Sequence, residues 1–342
     1  MIDSKEISVI VQGAVDKKIT PKTLKSVRKY LPNAEIILST WEGTDISGLD
    51  YDIVLLSKDP GAYIFDWESK KLNNINRQLV SIQYGLKSAS KKYVLKLRSD
   101  CILSNANFLF YFDKFNQVNP DFKIFQHKIL VCSICSREYA HTNGLPLPFH
   151  VSDFWLFGLT EDIRNYFVET PLMTKEQSSD WHYKCPDRVP NHHLFWAYPP
   201  EQYYCVSWVK RNFKNIQFDD WSEWNSELFE LSQNIIYNNF VFLDYDQSGI
   251  FSAKYKKLFI KRNQSGVIYY DTFIKRYMER FDIDDSDKKT YLKQIKLYQL
   301  IAKFYEHYQR FVFPIKKTIN WCFEPFSIMH YTIKILFGKI KL

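Results

Sequence analysis

From Ile7 the chain reads ISVIVQG, a β-branched apolar run closed by glycine, which predicts a strand. Leu24, Val27, Tyr30 and Leu31 then recur at helical spacing behind Pro21, so PKTLKSVRKYLPN is predicted as a helix. AEIILSTW and YDIVLLSKDPG read as two further strands, the second ending in a Pro-Gly turn. Within NNINRQLVSIQYGLKSA, residues Ile75, Leu79, Ile82 and Leu86 mark a helix, with asparagines at hand to cap its start. That helix leads into YVLKLRSD, whose apolar residues predict a strand over 93–99 with Asp100 at its end. Strands alternating with helices imply a mainly parallel sheet that binds ligands beyond the carboxyl ends of its strands.

Downstream, DFKIFQHKILVCSI predicts further strand, and HVSDFWLFGLTEDIRNYF predicts a strand, a turn at Gly158 and a helix starting around Thr160 to Asp162. Glu201 opens another helix behind two prolines. From about Asp284 the spacing of Tyr291, Ile295, Tyr298, Ala302, Tyr305 and Tyr308 predicts a long helix broken at Pro314. The pattern divides the chain into a main domain over 1–283 and a helical, amphipathic extension over 284–342.

The chain has 342 residues, 17% aromatic and 25% charged, with no repeat or low-complexity tract. A chain of this size buries about three quarters of its unfolded surface, so a packed globular protein is expected and a fibrous or disordered one excluded. The apolar run from Ile7 to Val11 is too short for a signal peptide, which makes the cytoplasm the expected compartment. Cys132 and Cys135 form a C-x-x-C, but residues three apart on a strand point to opposite faces, so buried free thiols are expected.

The net charge is +8, and eight of the lysines and arginines fall between Phe251 and Arg280. Such a stretch suits an anionic partner, whether diphosphate, lipid headgroup or nucleic acid. The segment after Pro314 mixes aromatics with lysines, yet its longest charge-free stretch, Pro325 to Ile333, has nine residues. A spanning helix needs about 20, so this tail is expected to lie on a membrane surface rather than cross it.

VIVQGAVDK has one glycine where a dinucleotide fingerprint has three, and there is no P-loop, G-x-S-x-G elbow or H-E-x-x-H. What remains is acidic and amide residues at predicted strand ends, followed by the basic stretch. Asp100 either faces the ligand cleft of the sheet or caps the following turn. A nucleotide-sugar site needs such parts: a carboxylate to hold a divalent ion on the diphosphate, cations to stabilise the leaving nucleoside diphosphate, and a further carboxylate to deprotonate the acceptor hydroxyl. Asn73, Asn74, Asn76 and Arg77 cluster at a helix start, where backbone N–H groups and an arginine can meet phosphate.

The blocks VQGAV, YLPNAEIILSTWEG, NNINRQLVSIQYGL, KYVLKLRSD, SDFWLFG and PEQYY, in this order over about residues 7 to 255, resemble the bacterial WavE lipopolysaccharide synthesis family. The resemblance implies an α/β, GT-A-like Rossmann-type fold, its mixed and mainly parallel sheet flanked by helices. It implies a glycosyltransferase that moves a sugar from a nucleotide-sugar donor to a lipid-linked, lipopolysaccharide or capsule acceptor. RSD would occupy the place of the metal-binding D-x-D, with Arg98 where the first Asp would stand. Asp100 would then hold Mn²⁺ or Mg²⁺ completed by the diphosphate; the alternative is that Arg98 partly replaces the metal.

By the same resemblance Gln12 and Gly13 would border the nucleotide and Glu201 would be the base, with Asp153 the other acceptor-side carboxylate; Lys254, in the basic stretch, either clamps the diphosphate or belongs to a solvated basic face. His192 and His193 are expected to be packing residues. The expected location is peripheral, on the cytoplasmic face of the inner membrane through the tail, and nucleic acid is not an expected partner. Two other classes compete: a nucleotidyl- or phosphotransferase of surface polysaccharide synthesis, and a non-catalytic carbohydrate-binding protein.

Overall fold

The computed structural model describes residues 2–66, 68–141, 144–181, 196–262 and 264–300. Strand β1 (Ile7–Gln12) is buried at all six positions, as a central parallel strand covered on both faces must be. Helix α1 (Thr20–Tyr30) has Pro21 in its first turn and buries Leu24 and Val27. It returns the chain to β2 (Glu35–Trp41) and then β3 (Ile53–Ser57). A short hairpin, β4 (Tyr63–Asp66) and β5 (Lys71–Asn73), precedes α2 (Ile75–Ser88), which buries Leu79, Ile82 and Leu86. A Cβ at Gly85 would lie 2.4 Å from Cγ2 of Ile10, so a glycine here lets the helix approach β1.

Helix α2 delivers the chain to β6 (Tyr93–Arg98), followed at once by β7 (Cys101–Leu103). Then come β8 (Ile129–Cys132), β9 (Arg137–Tyr139), β10 (Pro146–His150) and β11 (Trp155–Leu159). Three helices follow: α3 (Thr160–Phe167), α4 (Pro200–Asn212) and α5 (Ser226–Asn239). The unit closes with β12 (Phe240–Leu243), α6 (Tyr245–Ser248), β13 (Ile250–Ser252), α7 (Lys256–Lys261) and α8 (Tyr270–Arg280).

Seven strands make one sheet in the order β12-β8-β11-β6-β1-β2-β3. β11 runs antiparallel to both neighbours, while the β12-β8, β6-β1, β1-β2 and β2-β3 pairs are parallel. The class is therefore the expected one, α/β with a mixed, mainly parallel sheet flanked by helices. Two local expectations are corrected. Gly158 is not a turn: it lies inside β11, where a Cβ would come within 3.1 Å of Ile129, and the chain passes directly from Leu159 into α3. Of DFKIFQHKILVCSI, the strand is Ile129–Cys132 alone.

By internal contacts the chain divides between Tyr291 and Leu292, and the site lies in the first unit. A helix begins at 285 within that unit, and 292–300 of the second is helical. Among the described residues no helix is long and apolar enough to cross a membrane.

Candidate active site

β6 is the fourth of the seven strands, and its end lies beside the end of β1, with Arg98 opposite Gln12. Strand alternation puts Lys96 and Arg98 on one face, and Asp100 follows them two residues on. The turn between is pinned from three sides. Ser99 N donates to Gln12 O at 2.9 Å, Ser99 Oγ donates to Ala14 O at 2.6 Å, and Thr23 Oγ1 donates to Ser99 O at 3.0 Å.

Arg98 grips Asp100 with a fork, Nε to Oδ1 at 3.1 Å and Nη2 to Oδ2 at 3.2 Å. Ser252 Oγ donates to the same Oδ2 at 2.9 Å, and Ala253 N donates to the Asp100 carbonyl at 2.8 Å. These contacts come from the antiparallel pairing of β13 with β7. The guanidinium lies 4.3 Å from the ring centre of Phe154 and 5.9 Å from that of Tyr255. Burial works against the charge on Arg98, but the carboxylates of Asp100 and Asp153 outweigh it and hold its pKa well above the ordinary value.

Lys96 is 1% exposed, and its ammonium donates to the carbonyl of Asp153, the residue before Phe154. Burial lowers its pKa to about 8, with the charge of Asp153 opposing that fall. Asp153 is itself 3% exposed, and its Oδ2 has no hydrogen-bond partner among the described residues. Glu201 stands in the first turn of α4, and its carbonyl accepts from Val151 N at 3.4 Å. Its carboxyl is pushed up to about 7, first by burial and then by the charge of Asp153, with Arg98 and Arg137 opposing. A carboxyl raised to about 7 that feels the charges of Asp153 and Arg98 can exchange a proton near neutrality.

A model of the WavE lipopolysaccharide synthesis family matches residues 7–310. The chain belongs to that family. Membership places it in lipopolysaccharide synthesis, and the match continues beyond residue 255, where the quoted sequence blocks stop. No match was found among curated proteins.

In this WavE family member the other residues singled out in the sequence divide into two groups. Gln12, Gly13 and Lys254 lie around Arg98 and Asp100. Gln12 is 2% exposed, and its side-chain carbonyl accepts from Ser81 of α2. Gly13 takes φ +109° between β1 and the loop held by Ser99, a conformation that favours glycine. Lys254 is exposed two residues after Ser252, with its ammonium 5.4 Å from the Tyr255 ring centre.

The asparagine cluster has structural partners. Asn73 Oδ1 accepts from Ile75 N at 3.0 Å and its amide donates to Ser178 Oγ at 2.8 Å. Asn76 pairs with both backbone groups of Met173, at 2.9 and 2.8 Å. Arg77 makes a fork to Asp59 at 2.8 Å on each arm and donates to Asn74 Oδ1 at 2.8 Å. The basic stretch is also partly spent inside the fold: Arg262 pairs with Asp244 and Asp271, Arg276 with Glu138 and Glu279, and Arg280 with Glu230. It is not one free cationic face.

Burial pushes the thiols of Cys132 and Cys135 upward, and both cysteines are free. His192 and His193 lie outside the described residues. A divalent cation at Asp100 does not fit the residues as they stand. Both carboxylate oxygens are engaged, and the nearest charge is a guanidinium.

Sequence reasoning missed Lys96, Phe154, Arg137, Ser252 and Tyr255. Lys96 did carry a signal, a lysine inside an apolar strand at two-residue stagger from Arg98 and Asp100. Ser252 carried none, since only the pairing of β13 with β7 brings it to Asp100.

Proposed function

We propose that this chain is a glycosyltransferase that moves a sugar from a nucleotide-sugar donor to a lipid-linked, lipopolysaccharide or capsule oligosaccharide acceptor. The observation that supports this reading is the locked Arg98 guanidinium at the end of the central strand, against Phe154 and within electrostatic reach of the Asp153 and Glu201 carboxyls. A departing nucleoside diphosphate needs fixed positive charge, which Arg98 provides at the strand end. An acceptor hydroxyl needs a base whose pKa lies near the working pH, and Glu201 at about 7 meets that need. Glu201 takes the hydroxyl proton as the new glycosidic bond forms. The bond from the sugar to the diphosphate breaks, and its electron pair leaves with the phosphate oxygen. Asp153 touches the chemistry through Glu201, keeping that carboxyl basic.

A thermal-shift screen of the purified chain against UDP-, GDP-, CMP- and dTDP-sugars, followed by assays of donor hydrolysis and transfer, tests the proposal. One nucleotide class should stabilise the protein and be turned over slowly without acceptor. Neither stabilisation nor turnover with any donor would overturn it. Attachment to the cytoplasmic face of the inner membrane through the aromatic and lysine residues of 315–342 belongs to the same proposal. Removing 315–342 should release the protein from membrane fractions; undiminished sedimentation with membranes would refute that part.

A further inference from the structure

Resting on this reading of the site, we infer that Arg98 does for the donor diphosphate what a divalent cation would do, and that Asp100 is a positioning residue for Arg98 instead of a metal ligand. Asp100 spends both oxygens on the fork from Arg98, and one of them also on Ser252. An ion held by this one carboxylate would have to displace a charge-assisted pair and then sit beside the displaced guanidinium. Like charges at such a distance repel, and ions of this kind rely on one or two carboxylates besides the phosphates.

The guanidinium is also prepared for an anion. Nε and Nη2 face Asp100, whereas Nη1 donates to nothing among the described residues. Phe154 lies against the guanidinium, with Tyr255 nearby, and Asp100 fixes its rotation. What remains is the free edge of a planar fork, the shape that matches two phosphate oxygens. Its side chain keeps 23% exposure, against 13% for Asp100, so the arginine is the more accessible of the two. Buried Lys96, two residues before Arg98 on its strand, and exposed Lys254, whose ammonium lies 5.4 Å from the Tyr255 ring centre, add positive charge nearby. The donor diphosphate therefore binds, and departs, against protein cations alone.

The test uses the full chain and two kinds of readout. Calorimetry measures binding of UDP and GDP in EDTA and in Mn²⁺, and electron paramagnetic resonance measures Mn²⁺ uptake with and without the nucleotide. Wild-type binding and donor turnover should agree between EDTA and Mn²⁺ within about twofold, with no tight Mn²⁺ site. Arg98→Lys keeps the charge and loses the fork, so kcat should fall about 10²-fold, the scale of losing one aimed donor to developing charge. Asp100→Asn keeps an acceptor for Arg98 and should cost at most about tenfold in kcat, with donor KM little changed. Arg98→Asp rebuilds the paired acidic motif and should bind nucleoside diphosphate only when Mn²⁺ is added.

Wild-type binding or turnover that vanishes in EDTA and returns with Mn²⁺ would overturn the inference and leave the glycosyltransferase reading standing. No nucleotide binding or turnover under either condition would bring down that reading, and this inference with it.

Discussion

Glu201→Gln keeps the shape of the side chain and removes its charge, which separates the carboxylate's chemistry from its packing. The carboxyl titrates near 7 in the folded chain against an ordinary 4.5, and burial is the larger cause, with Asp153 second. That difference corresponds to about 3 to 4 kcal/mol at roughly 1.4 kcal/mol per tenfold change in proton affinity. The residue keeps partial exposure, so this figure is an upper one. The sign follows from proton binding. Below pH 4.5 the carboxyl is neutral in both folded and unfolded chains and costs nothing. Between 4.5 and about 7 the unfolded chain releases its proton while the folded chain holds it, so stability is lost as pH rises and the loss levels off above 7.

Glutamine has no such penalty. The variant should match wild type in urea melts near pH 4.5 and exceed it by about 1 to 3 kcal/mol near pH 8. Turnover should fall by two or more orders of magnitude while nucleotide binding survives, because the base is gone and the donor side is intact. A stability difference that does not change with pH would refute the burial argument. Unchanged turnover would refute the base assignment and move it to Asp153.

Two further outcomes follow from the same contacts. Asp153→Asn removes the second cause of the raised Glu201 pKa, so the rising limb of the kcat/KM profile against pH should move downward from about 7; an unmoved limb would show that the carboxyls are not coupled. Asn76→Ala strips both backbone groups of buried Met173 of partners and should cost about 2 kcal/mol in urea melts; lost turnover at full stability would instead point to a ligand role.

The order of strands and helices was legible because burial imposes periods on sequence. β1 is apolar throughout since it is covered on both faces, and α2 repeats its apolar residues at helical spacing since one side of it is buried. Asp100 at the end of a central strand could be foreseen for the same reason: the class of sheet fixes where strands end and ligands enter. Gly158 was misread as a turn because a glycine's meaning depends on its neighbours, here Ile129 and Ile163 packed against β11.

Local sequence alone could not assign the partners of the charges. Arg98 and Asp100 stand two apart in the chain, but whether they pair, and whether the pair is locked, depends on Ser252 and Phe154 arriving from distant segments. Likewise four polar residues at the start of α2 suggested a ligand, and only the fold shows that Ser178, Met173 and Asp59 are their partners within the chain. Periodicity records what each residue must hide or expose. Which polar group meets which is decided by strand order and loop docking, and those come into being only when the chain is folded.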